Sequence, residues 1–245
     1  MRRRRGPLII AHRGASAIAP ESTRAAIREA VRAGAHMVEL DVQMTQDGRL
    51  VVFHDERLER TTNGAGRVSA TRYAALARLD AGAWFHPRFA EERILLVSQA
   101  LRLIPRSMRV NLEVKPTRRR RALVDRLRRI VRRSRVSTRV VISSFDPGLL
   151  RPFRSLGLAV ALVCRADPER ALAQAIQLRC SAWHPAQSLV TLRRIAQAHA
   201  AGLAVRPWIV DDLPRARRLA RWGVDGLFTN HPARLSRRIT LRPLR

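Results

Sequence analysis

The chain reads as an α/β protein of the (β/α)8, or TIM-barrel, class with a small insertion after the second strand. Two observations predict this. Short apolar runs alternate eight times with segments of helical spacing, and such strict alternation requires parallel strands joined by crossover helices. Polar, titratable residues also gather at the carboxyl ends of the early runs, the end where a closed parallel barrel carries its chemistry. An open doubly wound sheet is the alternative, but no glycine-rich nucleotide fingerprint follows the first strand.

The first strand spans Leu8 to His12 and ends in His-Arg-Gly. Pro20-Glu21-Ser22-Thr23 opens a helix, with Ser22 or Thr23 as its cap and Ala25, Ala26, Ile27, Ala30 and Val31 as its packing stripe; Gly34 ends it. The second strand, Met37 to Val42, has Val38, Leu40 and Val42 on one face and Glu39 and Asp41 on the other, with Gln43 continuing that polar face. Asp47-Gly48 turns the chain back through Leu50 to Phe53 and delivers His54-Asp55 near the acid pair. From about residue 43 to 97 the strand-helix rhythm breaks, so this segment is predicted to be an insertion on the rim of one domain spanning residues 1–245.

A helix from Ser98 to Ile104 resumes the rhythm. The strand Val110 to Lys115 repeats the earlier logic, with Val110, Leu112 and Val114 opposite Asn111, Glu113 and Lys115, and Pro116 terminates it. A basic helix covers Arg119 to Arg133. Strands Val140–Phe145, Leu158–Val163, Ser181–His184, Leu203–Val210 and Asp225–Thr229 then alternate with helices Pro147–Leu156, Pro168–Leu178, Leu189–Ala200 and Leu213–Trp222.

With 245 residues, 46% of them apolar, the chain can bury a full core. Its formal charge of +29 suggests a nucleic-acid partner, but the arginines are spread along helix faces, and only Arg2 to Arg5 and Arg118 to Arg121 form blocks. Aromatics at 4% are too few for a base-stacking platform. The expected partner is a small molecule, with no specific nucleic acid; the charge also allows peripheral contact with an anionic membrane, and the oligomeric state is left unassigned. Cys164 and Cys180 sit in apolar contexts without metal-site spacing, and no run is long enough for a signal-peptide core or a membrane span, so a cytoplasmic protein is expected.

In a barrel, His12, Glu39, Asp41, Glu113 and Lys115 converge on one rim, and His54 returns to it. Like charges crowded in a poorly solvated place repel unless a cation sits between them. Three carboxylates without a thiol form a hard oxygen site that suits Mg2+ or Ca2+ better than zinc. Two histidines supply an acid and a base near neutral pH, and Arg13 and Lys115 can neutralise a phosphate. Lys115 is the only lysine among 48 basic residues, so an ammonium was kept where arginine serves everywhere else. Trp208 differs in parity from Pro207 and Ile209 and is predicted to point into the barrel mouth against substrate carbon.

These residues resemble the glycerophosphodiester phosphodiesterases of the phospholipase-C-like barrel superfamily. The match comprises His12-Arg13-Gly14, Pro20 to Thr23, Glu39-Leu-Asp41-Val with Thr45-Gln-Asp47-Gly48 and His54-Asp55, Arg60-Thr61-Thr62 with Gly64 and Gly66, Glu113-Val-Lys115, Ser144-Phe145, Trp208 and Gly223 to Gly226. The resemblance implies metal-dependent hydrolysis of glycerophosphodiesters to glycerol 3-phosphate and an alcohol. By it Glu39, Asp41 and Glu113 are metal ligands, His12 and His54 the acid/base pair, and Arg13 and Lys115 the phosphate contacts. His12 is favoured as base by analogy, although the residues alone do not separate the roles. Ser22 stands where the family usually has Asn, Asp211 where Asn is typical, and Asn230 in place of the usual Asp; Asp211 is expected to add negative charge near the head-group pocket. The alternatives are a lysophospholipase D working at a membrane surface and a non-catalytic phosphate- or nucleic-acid-binding protein.

Overall fold

The computed structural model describes residues 6–237 and 239; the Arg2–Arg5 block noted above lies outside them. Among the described residues there are nine strands: β1 Leu8–Ala11, β2 Met37–Met44, β3 Leu50–Val52, β4 Arg109–Val114, β5 Val140–Ser144, β6 Ala159–Cys164, β7 Ala182–Pro185, β8 Ala204–Val205 and β9 Gly226–Thr229. Apart from β3, they pair parallel in the order β8-β7-β6-β5-β4-β2-β1-β9. Backbone bonds from Asp225 N to Val205 O (2.8 Å), Phe228 N to Pro207 O (3.0 Å) and Val210 N to Phe228 O (2.8 Å) carry β9 back to the segment holding β8. Eight parallel strands thus form a nearly closed barrel, with helices between them.

The period of two along each strand sorts the two cores. Val38, Leu40, Val42, Val110, Leu112 and Val114 point outward and are buried under the helices α1 (Arg24–Arg32), α3 (Val97–Leu103) and α4 (Arg120–Arg133), with α2 being the single turn Tyr73–Leu76. Ile10, Met37, Val141, Ala161, Ala182 and Phe228 fill the inside. The remaining helices are α5 Pro147–Ser155, α6 Pro168–Gln177, α7 Leu192–Ala200, α8 Leu213–Arg221 and α9 Pro232–Ser236. On α4 the buried face is Leu123, Val124, Leu127 and Val131, so most of its arginines lie on the solvated side.

Local chemistry explains the helix starts. Thr23, in extended backbone, caps α1 by accepting from Ala26 N at 3.3 Å. Ser22, one residue earlier at φ 64°, does not cap: its hydroxyl is buried without a hydrogen-bond partner among the described residues. α5 and α6 begin with Asp-Pro pairs in which Asp146 and Asp167 cap and proline occupies the first helical position.

Two strands, β2 and β8, differ from their expected bounds by more than one residue. β2 continues two residues past Val42, because its overhang pairs antiparallel with β3, Val42 to Val52 through Met44 to Leu50. β8 is only two residues long, because Pro207 has no N–H to continue a ladder and the chain leaves the sheet there. Between β3 and α3 the chain packs a second apolar cluster of Val51, Phe53, Leu58, Val68, Leu76, Ala81 and Ile94.

Candidate active site

Parallel registry places the acids. Asp41 pairs with Glu113 across β2 and β4, and Glu39 pairs with Asn111 two residues earlier, so all four share the inner face. One carboxylate oxygen from each of Glu39, Asp41 and Glu113 lies within 4.8 Å of the other two. Glu39 and Asp41 are each only 1% exposed. Next to them, the turn after β1 is shaped by Gly14, whose φ is 83° and whose position would put a side-chain carbon 2.6 Å from the Ala26 carbonyl carbon. That close approach swings the Arg13 N–H onto Glu39 Oε2 at 2.9 Å.

Two cations face the three acids. Lys115 Nζ lies 2.6 Å from Asp41 Oδ1 and also pairs with Glu113, while Arg13 Nε is 3.2 Å from Asp41 Oδ2. Burial alone would raise Asp41, but Lys115 and Arg13 outweigh it and hold its carboxyl below the usual range. Glu39 has less compensation: burial, then the charges of Asp41 and Glu113, push it well up. Glu113 is raised by burial and then by Asp41. Glu39 Oε1 is buried without a hydrogen-bond partner among the described residues. An orphaned, all-oxygen, over-crowded donor set fits a divalent cation of the Mg2+ or Ca2+ kind.

His12 and His54 line the same cavity of about 650 Å³ as the acids. His12 Nδ1 is 2.8 Å from Asn230 Oδ1, and His54 Nδ1 is 2.5 Å from Asp55 Oδ1. A carbonyl or carboxylate oxygen accepts, so in both rings Nδ1 donates and Nε2 remains for the cavity. Burial, reinforced by Arg13, pushes His12 down to about 4. His54 is also lowered by burial, but Asp41 and Asp55 oppose that shift.

Trp208 lines the cavity, its indole N–H donating to the His184 carbonyl at 2.9 Å and its ring edge-to-face with Phe145 at 5.7 Å. Phe145 and Phe228 extend this apolar wall opposite the acids. All eight sequence-predicted site residues therefore line one cavity. Several supporting residues carried no role in the sequence reading. Gln43 Nε2 donates to the carbonyls of Phe53 (3.0 Å) and His54 (3.1 Å) and contacts that of Asp55, pinning the loop that presents His54. Arg60 ties Glu21, 2.7 Å away, to Asp55 and so backs His54. The strand period did flag Gln43 as facing the acids. Asp211, expected near the pocket, does not itself line the cavity: its oxygens are taken up by Thr229 and by Asn230, which in turn meets His12.

The profile of the glycerophosphoryl diester phosphodiesterase family matches residues 12–234. A glycerophosphodiester phosphodiesterase of Caldanaerobacter subterraneus subsp. tengcongensis is 34% identical over 237 residues, covering 93% of this chain and 96% of that protein. One from Bacillus altitudinis is 33% identical over 236 residues, covering 92% and 95%. The structure of an Oleispira antarctica phosphodiesterase in complex with the product sn-glycerol-3-phosphate superposes with a TM-score of 0.89 at 30% identity, over 95% of this chain and 96% of that one.

Proposed function

This chain belongs to the glycerophosphoryl diester phosphodiesterase family and is a phosphoric diester hydrolase; on that premise we propose that it cleaves glycerophosphodiesters to glycerol 3-phosphate and an alcohol, using a divalent cation and two histidines. The observation that carries the reading is the meeting of Glu39, Asp41 and Glu113 in one cavity with His12 and His54. Glu39, Asp41 and Glu113 would hold Mg2+ or Ca2+. When bound, such an ion supplies charge to polarise the phosphoryl oxygens. Charge matching supports it: three carboxylates against Arg13 and Lys115 leave one negative charge in excess. A divalent ion turns this into one positive charge, the complement of a phosphodiester monoanion.

His12 is the base. Its ring is buried, its Nδ1 meets only a neutral amide, and both favour the uncharged imidazole whose Nε2 can take a proton from the attacking glycerol 2-hydroxyl or water. His54 is the acid. Burial, Lys115 and Arg13 lower its ring pKa, but Asp41 and the Asp55 carboxylate against its Nδ1 oppose that shift, so its imidazolium is better supported than that of His12 and donates to the leaving alkoxide oxygen. Arg13 and Lys115 hold the phosphate oxygens, and Trp208 with Phe145 packs against substrate carbon. The same proposal includes a cytoplasmic location and a single domain with residues 43–97 as an insertion. Among the described residues no helix is long and apolar enough to cross a membrane.

Turnover of glycerophosphocholine is expected to vanish with EDTA and return on adding Mg2+ or Ca2+; turnover unaffected by EDTA would overturn the metal. Faster turnover of lysophosphatidylcholine on anionic vesicles than of glycerophosphocholine in solution would instead make the enzyme a lysophospholipase D of the membrane surface.

A further inference from the structure

A polar chain leads from His12 away from the cavity. Beyond the contact between His12 Nδ1 and Asn230 Oδ1, the Asn230 side-chain nitrogen lies 2.7 Å from Asp211 Oδ2. Asp211 Oδ1 accepts from the Asn230 backbone N–H and from the Thr229 hydroxyl, both at 2.8 Å. Ser16 Oγ sits 2.8 Å from Asn230 Oδ1 and 2.8 Å from the His12 carbonyl oxygen. Neither Asp211 nor Asn230 lines the cavity, so neither is placed to touch substrate.

The order of donors along this chain is forced. A carboxylate only accepts, so the atom of the Asn230 amide against Asp211 must be its NH2. That turns Asn230 Oδ1 toward His12. An amide oxygen also only accepts, so the proton between the two residues sits on Nδ1, and Nε2 keeps its lone pair. If Asn230 were turned by half a rotation, its NH2 would face His12. Nδ1 would then accept, Nε2 would carry the ring proton, and the ring could take no proton from an attacking hydroxyl. We propose that Asp211 is a positioning residue for the reaction: acting through Asn230, it fixes His12 in the tautomer whose Nε2 is free to be the base.

This accounts for two departures from the family pattern at once. The resembling sequences usually carry Asn where Asp211 stands and Asp where Asn230 stands. Here the carboxylate and the amide have changed places, and the direction of hydrogen bonding toward His12 is kept while the charge moves one residue further from the ring. Either change alone would break the pattern. Two carboxylates would face each other without a proton between them, or two amides would leave the orientation of the one beside His12 undecided.

The assignment rests on His12 being the base, and the test separates the two claims. With 15N-histidine labelling, and His12 identified by its absence from the H12A spectrum, the wild-type ring is expected to show the Nδ1–H form. In D211N the new side-chain NH2 can face Asn230, which then offers its oxygen outward and its own NH2 to His12. The Nδ1–H signal is expected to be lost or mixed with the other tautomer. With glycerophosphocholine as substrate, kcat should fall about 10–100-fold, the usual cost of losing an orienting partner, with KM little changed. The double variant D211N/N230D restores an acceptor against Nδ1, with the new amide at position 211 donating to the new carboxylate at position 230, and should recover both the Nδ1–H form and kcat. Unchanged tautomer and kcat in D211N overturn the proposal, as does a double variant that melts like the wild type yet recovers neither. A tautomer that responds as described in a protein whose H12A variant retains full activity leaves Asp211's hold on the ring intact, removes the base from the function reading, and so overturns the claim that Asp211 serves the reaction.

Discussion

Alanine at position 12 or at position 54 is expected to lower kcat for glycerophosphocholine by about 10²–10⁴-fold, the usual share of one general acid or base. KM should move less, because in the proposed reading the anionic substrate is held mainly by Arg13 and Lys115. The two variants then part company when the leaving group changes. A diester of glycerol with a nitrophenol releases an anion stable enough to depart without a proton. H54A should regain most of its rate on that substrate, since the step His54 assists no longer needs assistance. H12A should not, because the attacking hydroxyl must lose its proton whichever group leaves. Measured kcat on the two substrates checks the assignment, and equal losses in both variants on the activated diester would refute the division of roles. The structural basis is the unlike environment of two like rings: Asn230 offers His12 a neutral oxygen, Asp55 offers His54 a charged one, and Arg60 and Glu21 keep Asp55 in place.

The sequence carried the barrel and the acidic floor for a simple reason. Both follow from the period of two along strands, which needs no knowledge of tertiary contacts. Alternation of Val38, Leu40 and Val42 with Glu39 and Asp41 states which face is wet, and the same pattern around Glu113 states that the next core strand shares that face. Register then does the rest, setting Asp41 against Glu113. What the sequence could not show is whatever depends on loops that leave the sheet. Gln43 appeared as a third polar residue on the strand, but its role in gripping the carbonyls after Phe53 depends on how the hairpin folds over. Asp211 lies six residues past the end of β8, in a segment that makes only occasional sheet contacts, so its direction could not be read from parity. The family resemblance placed its charge near the pocket; the hydrogen bonds to Thr229 and Asn230 show that it sits behind the cavity wall. Ser22 is a similar case: its N–H is held by the Arg13 carbonyl at 2.9 Å and its hydroxyl reaches no helix N–H, a placement that depends on the turn after β1 and not on local sequence.

Glutamine in place of Glu39 is expected to abolish turnover and, in the metal-free protein, to stabilise the fold. The loss of activity follows from the donor set: an ion that supplies several kcal/mol of transition-state stabilisation is worth about 10³-fold or more in rate. The gain in stability follows from the direction of the Glu39 shift. Burial and the neighbouring acids raise its folded value well above 4.5, so the folded chain keeps a proton that the unfolded chain has released. Stability contributed by this group is complete at pH below about 4.5 and is lost as pH rises toward the raised folded value. E39Q titrates in neither state and escapes that loss. The melting temperatures of wild type and E39Q in EDTA should therefore coincide at low pH and separate as pH rises, E39Q being the higher, by about 2–4 °C for each kcal/mol in a chain of this size. A divalent ion reverses the order. It binds the deprotonated carboxylates, so added Mg2+ or Ca2+ should raise the wild-type melting temperature more at about pH 8 than at about pH 5 and leave E39Q unmoved. If E39Q keeps the ion-induced shift, Glu39 is not a ligand. If wild type and E39Q melt together in EDTA across the whole range, the crowding of Glu39, Asp41 and Glu113 is not what makes this floor receptive to a cation.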